Sequence, residues 1–153
     1  MFSIIVSDFE PIRNYIKNTL KQYTSANNSL VISSIKDISH SKVNSLLDEF
    51  GQLSIFFDLD EKPRLISLKS NTKQRNVFDL MDSIDRKSNI NFFVVGSEIS
   101  FLENMNQIIN HNIQSHHMLE KPFNGQQLNQ FIHMNITKTL LNMNSENVKN
   151  MAA

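Results

Sequence analysis

The 153-residue chain has no cysteine and no tryptophan, only three glycines and three prolines, and no net charge, fifteen Lys and Arg balancing fifteen Asp and Glu. Without cysteine, neither a disulfide framework nor a thiolate metal site can form. Without an excess of positive charge there is no electrostatic footprint for nucleic acid or for an anionic membrane surface. No apolar run approaches the ~20 residues that a membrane span requires. The first such run, Ile4-Ile5-Val6, is stopped by Asp8 and Glu10, which excludes a signal peptide. The expectation is a cytoplasmic protein with no membrane segment and no direct contact to nucleic acid. Its many Asn and Lys residues and few glycines read as a compositional bias without functional content.

A chain of this length is one ordinary domain, able to bury roughly 70% of the surface its unfolded form exposes. Its apolar residues fall into alternating short runs and helical stripes. Phe2–Val6 predicts a strand, and Pro11 after Ser7-Asp8-Phe9-Glu10 opens a helix carrying Ile12, Ile16 and Leu20. Leu30, Val31 and Ile32 predict a second strand. Val43, Leu46, Leu47 and Phe50 form a helical stripe with Gly51 as its stop. Leu53–Asp58 is a nearly continuous apolar run, suited to a strand covered on both faces. Residues 61–76, with Leu65, Ile66 and Leu68 and the small basic cluster Lys69, Lys73 and Arg75, have no clear place. A stripe of Val77, Leu80, Met81 and Ile84 precedes a fourth strand over Phe92, Phe93, Val94 and Val95. Leu102, Met105, Ile108 and Ile109 predict one further helix, Met118 and Leu119 a fifth strand, and Leu128, Phe131, Ile132, Ile136 and Leu140 a last helix. The domain therefore spans residues 1–141, and residues 142–153 are a polar, frayed tail or linker. Five strands alternating with five helices indicate an α/β fold, a flavodoxin-like, doubly wound, five-stranded parallel sheet flanked by helices.

Three strand ends carry polar groups: Asp8 after the first, Asp58 after the third and Lys121 after the fifth. In open α/β sheets ligands collect at the carboxyl ends of strands. With the first strand placed between the third and the fourth or fifth, the three side chains would converge there. Two carboxylates held close repel each other, and a hard divalent cation such as Mg²⁺ relieves this. An opposed ammonium suits a phosphoryl oxygen. A carboxylate nucleophile, a metal and a lysine make a phosphoryl-transfer set.

At this point the sequence resembles the response-regulator receiver domain, over residues 4 to about 141. Ile-Ile-Val-Ser-Asp-Phe-Glu-Pro-Ile-Arg at 4–13 is similar to the family's opening strand and acidic pair. Phe-Phe-Asp-Leu-Asp at 56–60 is similar to its phosphoacceptor strand, and Leu-Glu-Lys-Pro-Phe at 119–123 to its Lys-Pro-Phe signature. The resemblance implies that Asp58 accepts a phosphoryl group from a sensor histidine kinase or phosphotransfer protein. It implies Mg²⁺ held by Asp8, Asp58 and the main-chain carbonyl of Asp60, phosphate contacts from Lys121 and Ser97, and a cis Lys121-Pro122 bond. It further implies control of an output domain or partner, a homodimer built on the helix after Gly96 and the last helix, and no enzymatic activity beyond self-phosphorylation and self-dephosphorylation.

The chain departs from that pattern at specific places. Ser7 stands where the family has the first acid of its pair, which weakens metal affinity by roughly 1 to 4 kcal/mol at an effective dielectric near 20. Gly96 stands at the switch Ser or Thr, with Ser97 beside it, and Met118 at the switch aromatic. These departures support a second reading, a phosphorylation-independent pseudo-receiver acting through dimerisation or protein contacts. A third comes from Phe57-Asp58-Leu59-Asp60, which resembles the nucleophile motif of haloacid-dehalogenase-type phosphatases, with Asp58 as nucleophile and Asp60 as acid/base. Glu61-Lys62 replaces that family's Gly-Thr. His111, His116 and His117 do not form a metal motif, since the last two are adjacent.

Overall fold

The computed structural model describes residues 1–25, 28–60, 76–85 and 87–152. The segment left unassigned from sequence, with Pro63, Leu65, Ile66, Leu68 and the Lys69, Lys73 and Arg75 cluster, lies outside the described residues. Five strands, β1 (Phe2–Val6), β2 (Ser29–Ile32), β3 (Leu53–Asp58), β4 (Ile90–Ser97) and β5 (Met118–Lys121), form one sheet in the order β2-β1-β3-β4-β5. Every pairing is parallel. The helices are α1 (Glu10–Leu20), α2 (His40–Phe50), α3 (Val77–Asp82), α4 (Glu98–Glu103), α5 (Met105–Asn110) and α6 (Gly125–Met151).

The central strands β1 and β3 are buried along their whole length and mostly apolar because the sheet is covered on both sides. Alternation along each strand sends side chains to two separate cores. Ile4, Val6, Ile55, Phe57, Phe92 and Val94 pack with residues of α2 and α3. Ile5, Phe56 and Phe93 pack with Ile16 and Leu20 of α1 and Leu128, Ile132 and Ile136 of α6. The chain thus winds from β1 through α1 to β2 along one face, and returns through α2 on the other to β3.

This winding corrects the expected strand order: β1 lies between β2 and β3, not between β3 and a later strand. A right-handed crossover on each face puts the reversal of direction between β1 and β3. The ends of β1 and β3 still adjoin, and a fifth-strand side chain must reach over β4.

Two further differences have local causes. The stripe Leu102, Met105, Ile108 and Ile109 was expected as one helix, but it is broken at Asn104 into α4 and α5. The Asn104 amide donates to the Ser100 carbonyl at 2.8 Å, competing with the backbone ladder. Phe101 and Ile108 are buried there, whereas Leu102 and Ile109 face outward. Residues beyond 141, expected as a frayed tail, continue α6 to Met151 as an exposed polar helix. Gly51 ends α2 at φ 72°, the left-handed conformation that glycine adopts at least cost. Among the described residues no helix is long and apolar enough to cross a membrane.

Phe93 is fully buried, stacks on Phe56 at 4.8 Å between ring centroids and meets Phe131 edge-on at 6.1 Å. Phe93→Ala is expected to cost about 3–5 kcal/mol, read as a lower urea midpoint. Exposed Leu102→Ala is expected to stay within about 0.5 kcal/mol of the parent chain.

Candidate functional site

Asp58 is the last residue of β3 and only 5% exposed. A buried carboxylate needs donors for both oxygens, and it has them. Lys121 Nζ lies 2.7 Å from Oδ1 and 2.8 Å from Oδ2. The Asp60 N–H donates to Oδ1 at 3.0 Å, closing a tight turn after the strand. The Ser7 hydroxyl, at the end of neighbouring β1, donates to Oδ2 at 3.0 Å. Ser7 in turn accepts from the Phe9 N–H at 3.1 Å, and its carbonyl accepts from the Arg13 guanidinium.

Lys121 reaches Asp58 because β4 places it there. Ser97 of β4 is the register partner of Lys121 on β5, while Val95 is that of Asp58 on β3. The lysine stem therefore spans the width of β4 at its end. The following Lys121-Pro122 bond is cis.

The Asp60 carboxylate completes the arrangement. Its Oδ2 lies 2.9 Å from Lys121 Nζ and accepts from the Ser97 N–H at 3.0 Å. Its Oδ1 accepts from the Ser97 hydroxyl at 2.8 Å and also from the Ser100 hydroxyl. Lys121 Nζ thereby stands in contact with three carboxylate oxygens, two on Asp58 and one on Asp60. Partial burial pushes the Asp60 pKa up, but the hydrogen bonds from Ser100, Lys121 and Ser97 outweigh it and bring it down to about 2. Burial likewise opposes the charge on Lys121, but Asp58 and Asp60 raise its pKa above the ordinary lysine value.

The structure thus brings together Asp58, Asp60, Ser97 and Lys121. Asp8 follows Ser7 in the exposed turn after β1 and has its own polar or electrostatic contact. Among the described residues no group of three or more His, Asp or Glu side chains is arranged to hold a metal. The oxygens expected for Mg²⁺ are therefore two carboxylates, Asp8 and Asp58, and the Asp60 carbonyl. They are hard ligands of the kind Mg²⁺ takes alongside several waters. Gly96 has a packing reason to lack a side chain: a Cβ there would sit 3.2 Å from Leu59 Cβ and 3.4 Å from the Phe101 ring. Ser97, one residue on, caps α4 by accepting from the Ser100 N–H at 3.2 Å while its hydroxyl serves Asp60. Met118 lies half-buried on β5 against the core shared with α2 and α3.

Sequence reasoning missed Ser100, and it considered the Asp60 side chain only as the acid/base of the phosphatase reading, not as a partner of Ser97, Ser100 and Lys121. The available signal was the Ser97-x-x-Ser100 spacing, which puts two hydroxyls on one side of a first helical turn. The His residues serve packing and pairing: His111 Nε2 lies 2.9 Å from Asp82, and His117 packs edge-on against Phe93.

No protein-family model matches the sequence, and no curated protein matches it. Solved structures do match its shape. The chemotaxis response regulator CheY4 of Vibrio cholerae aligns with a TM-score of 0.50 at 15% identity, over 88% of this chain and 98% of that one. The isolated REC domain of RcsB from Salmonella enterica serovar Typhimurium, solved with the phosphomimetic BeF3⁻, aligns with a TM-score of 0.50 at 14% identity, over 85% of this chain and 83% of that one.

The fold is that of a receiver domain. Within it, Asp58, Lys121 and Ser97 stand at one strand-end crevice, and Asp60 occupies the space between them. In the haloacid-dehalogenase reading Asp60 would be the acid/base; here its carboxylate is engaged by Lys121, Ser97 and Ser100, which hold its pKa well below the ordinary carboxylate value.

Lys121→Met is expected to destabilise the fold by about 3 kcal/mol at pH 7, since the buried Asp58 carboxylate is left without its counter-ion. The folded pKa of Asp60 lies below its unfolded value, so its contribution is present above about pH 4 and is lost as pH falls through about 2. Without Lys121 that depression weakens, and Asp60 protonates more readily in the fold. The part of the variant's deficit that comes from Asp60, measured by urea unfolding, is therefore expected to hold from pH 7 to about pH 4 and to shrink as pH falls from about 4 towards about 2. A deficit that does not change with pH would contradict this assignment.

Proposed function

We propose that the chain is the receiver module of a two-component response regulator, in which Asp58 takes a phosphoryl group from a sensor histidine kinase or phosphotransfer protein and thereby controls an output domain or partner. The observation that carries this reading is the position of Asp58 at the carboxyl end of a central strand of a receiver fold, with Lys121 bridging both its oxygens. In the transfer, an Asp58 oxygen attacks the phosphorus, the phosphorus–nitrogen bond of the donor phosphohistidine breaks, and the nitrogen keeps the electron pair. Lys121 then pairs with a phosphoryl oxygen in place of the carboxylate charge that esterification removes. Mg²⁺, held by Asp8, Asp58 and the Asp60 carbonyl, would supply further charge neutralisation. Ser7 contributes a hydroxyl rather than a carboxylate at this end, so the cation is held by less negative charge. The exposed apolar side chains Ile99, Leu102 and Ile109 on α4 and α5 support pairing of two copies through that face.

One observation favours a second reading, the phosphorylation-independent interaction module. All four oxygens of Asp58 and Asp60 already accept hydrogen bonds or an ion pair from the chain itself.

Titration with Mg²⁺ and beryllofluoride, followed by amide NMR, separates the two. Phosphorylation predicts saturable shifts around Asp8, Asp58 and Lys121 in the parent chain and none in Asp58→Asn. Spectra that stay silent in both proteins would favour the module that acts without phosphorylation.

A further inference from the structure

The Asp60 side chain has no part in the reaction just described, which uses only its backbone carbonyl. Yet it makes as many polar contacts as the Asp58 side chain does, four each. Its donors come from three segments: Lys121 from β5, the Ser97 amide and hydroxyl from the end of β4, and the Ser100 hydroxyl from α4. Two hydroxyls face one oxygen, and an amide and an ammonium face the other. Such a cluster of N–H and O–H donors around one cation is built to hold an oxyanion. Here the chain supplies that anion itself, from a residue two positions beyond Asp58.

We propose that Asp60 is a resident anion: its carboxylate fills the cradle of Ser97, Ser100 and Lys121, keeping the end of β4 joined to the β3 turn and admitting a free oxyanion only when Asp60 swings out. The side chain is 27% exposed, so it has solvent on one side into which to rotate. The apparent affinity for an external anion is reduced by the fraction of time the cradle stands open. Asp60 thus works as an autoinhibitory contact at the same site. The inference does not depend on Asp58 ever being phosphorylated, because it concerns an anion bound without covalent chemistry.

The test uses inorganic phosphate alone, without Mg²⁺ or a phosphodonor, titrated into the full chain and into Asp60→Ala, with the Ser97, Ser100 and Lys121 amides followed by NMR. With Asp60 removed, Lys121 still offsets Asp58, so millimolar binding is the expected range. Asp60→Ala is expected to bind phosphate at least about tenfold more tightly than the parent chain, and adding Ser97→Ala is expected to abolish the gain. Should Asp60→Ala unfold, Asp60→Asn keeps the shape while removing the charge, and decides in its place. Equal phosphate affinity in parent and variant would overturn the proposal. So would a variant whose Ser97 and Ser100 amides keep the parent positions and do not respond to phosphate. Neither result bears on whether beryllofluoride reaches Asp58, so the two readings fail separately.

Discussion

One ammonium group holds this end of the molecule together. Lys121 stands within 2.9 Å of three oxygens on two carboxylates, and nothing else described at the site carries a full positive charge that close to them. Asp58 and Asp60 are two residues apart, and without a cation between them they would repel at short range in a partly dry setting. With it, the turn after β3 can fold back so that the Asp60 amide points at Asp58 and the Asp60 carboxylate points at Ser97. The shape of that turn is therefore a consequence of the charge on β5. The remaining side-chain donors are neutral: the Ser97 and Ser100 hydroxyls satisfy the Asp60 oxygen that the ammonium does not reach, and Ser7 adds a further donor to Asp58.

The sheet exists to make that meeting possible. β5 is an edge strand, two positions from β3, and only a long unbranched side chain can bridge the interval. β4 must then end without bulk in between. Gly96 meets that condition by letting Leu59 pack where a side chain would otherwise stand, and Ser97 follows with a short hydroxyl side chain. The doubled core secures the register. Phe56 and Phe93 stack on one face while Phe57 and Val94 pack on the other, and a slip of one residue would exchange the two sets.

How much of this was legible in the sequence depended on whether the signal was local. Apolar runs that end in charge marked β1, β3 and β5, and they marked Asp58 and Lys121 with them. Strand order was not legible, because adjacency in a sheet leaves no trace in hydrophobic period; β1 was set beside the wrong neighbours for that reason. The break at Asn104 was hidden by a stripe that looked continuous, although Leu102 and Ile109 turn outward. The reach of α6 was hidden by the opposite fault, since its last turns are mostly polar and Met143, Val148 and Met151 are too few to make a clear stripe. Asp60 was noticed for its backbone carbonyl and as an acid/base, and neither role points its side chain at Ser97, Ser100 and Lys121.

Ser7 and Asp60 make better sense together than apart. By the resemblance the chain shows, the end of β1 would carry two adjacent acids, a negative site for a cation, and the cradle between β4 and β5 would stand open for an anion. Here one acid at the β1 end is a hydroxyl, and a carboxylate fills the cradle. Negative charge has in effect moved from the side that attracts a metal to the side that attracts an oxyanion. Each half of that exchange works against a ligand: the first weakens the hold on a cation, and the second places a competitor against an anion. Both also make the bare domain more self-sufficient, because Asp58 gains a neutral donor in Ser7 and Lys121 gains a second partner in Asp60. A receiver fold balanced in this way holds its strand ends in order with nothing bound.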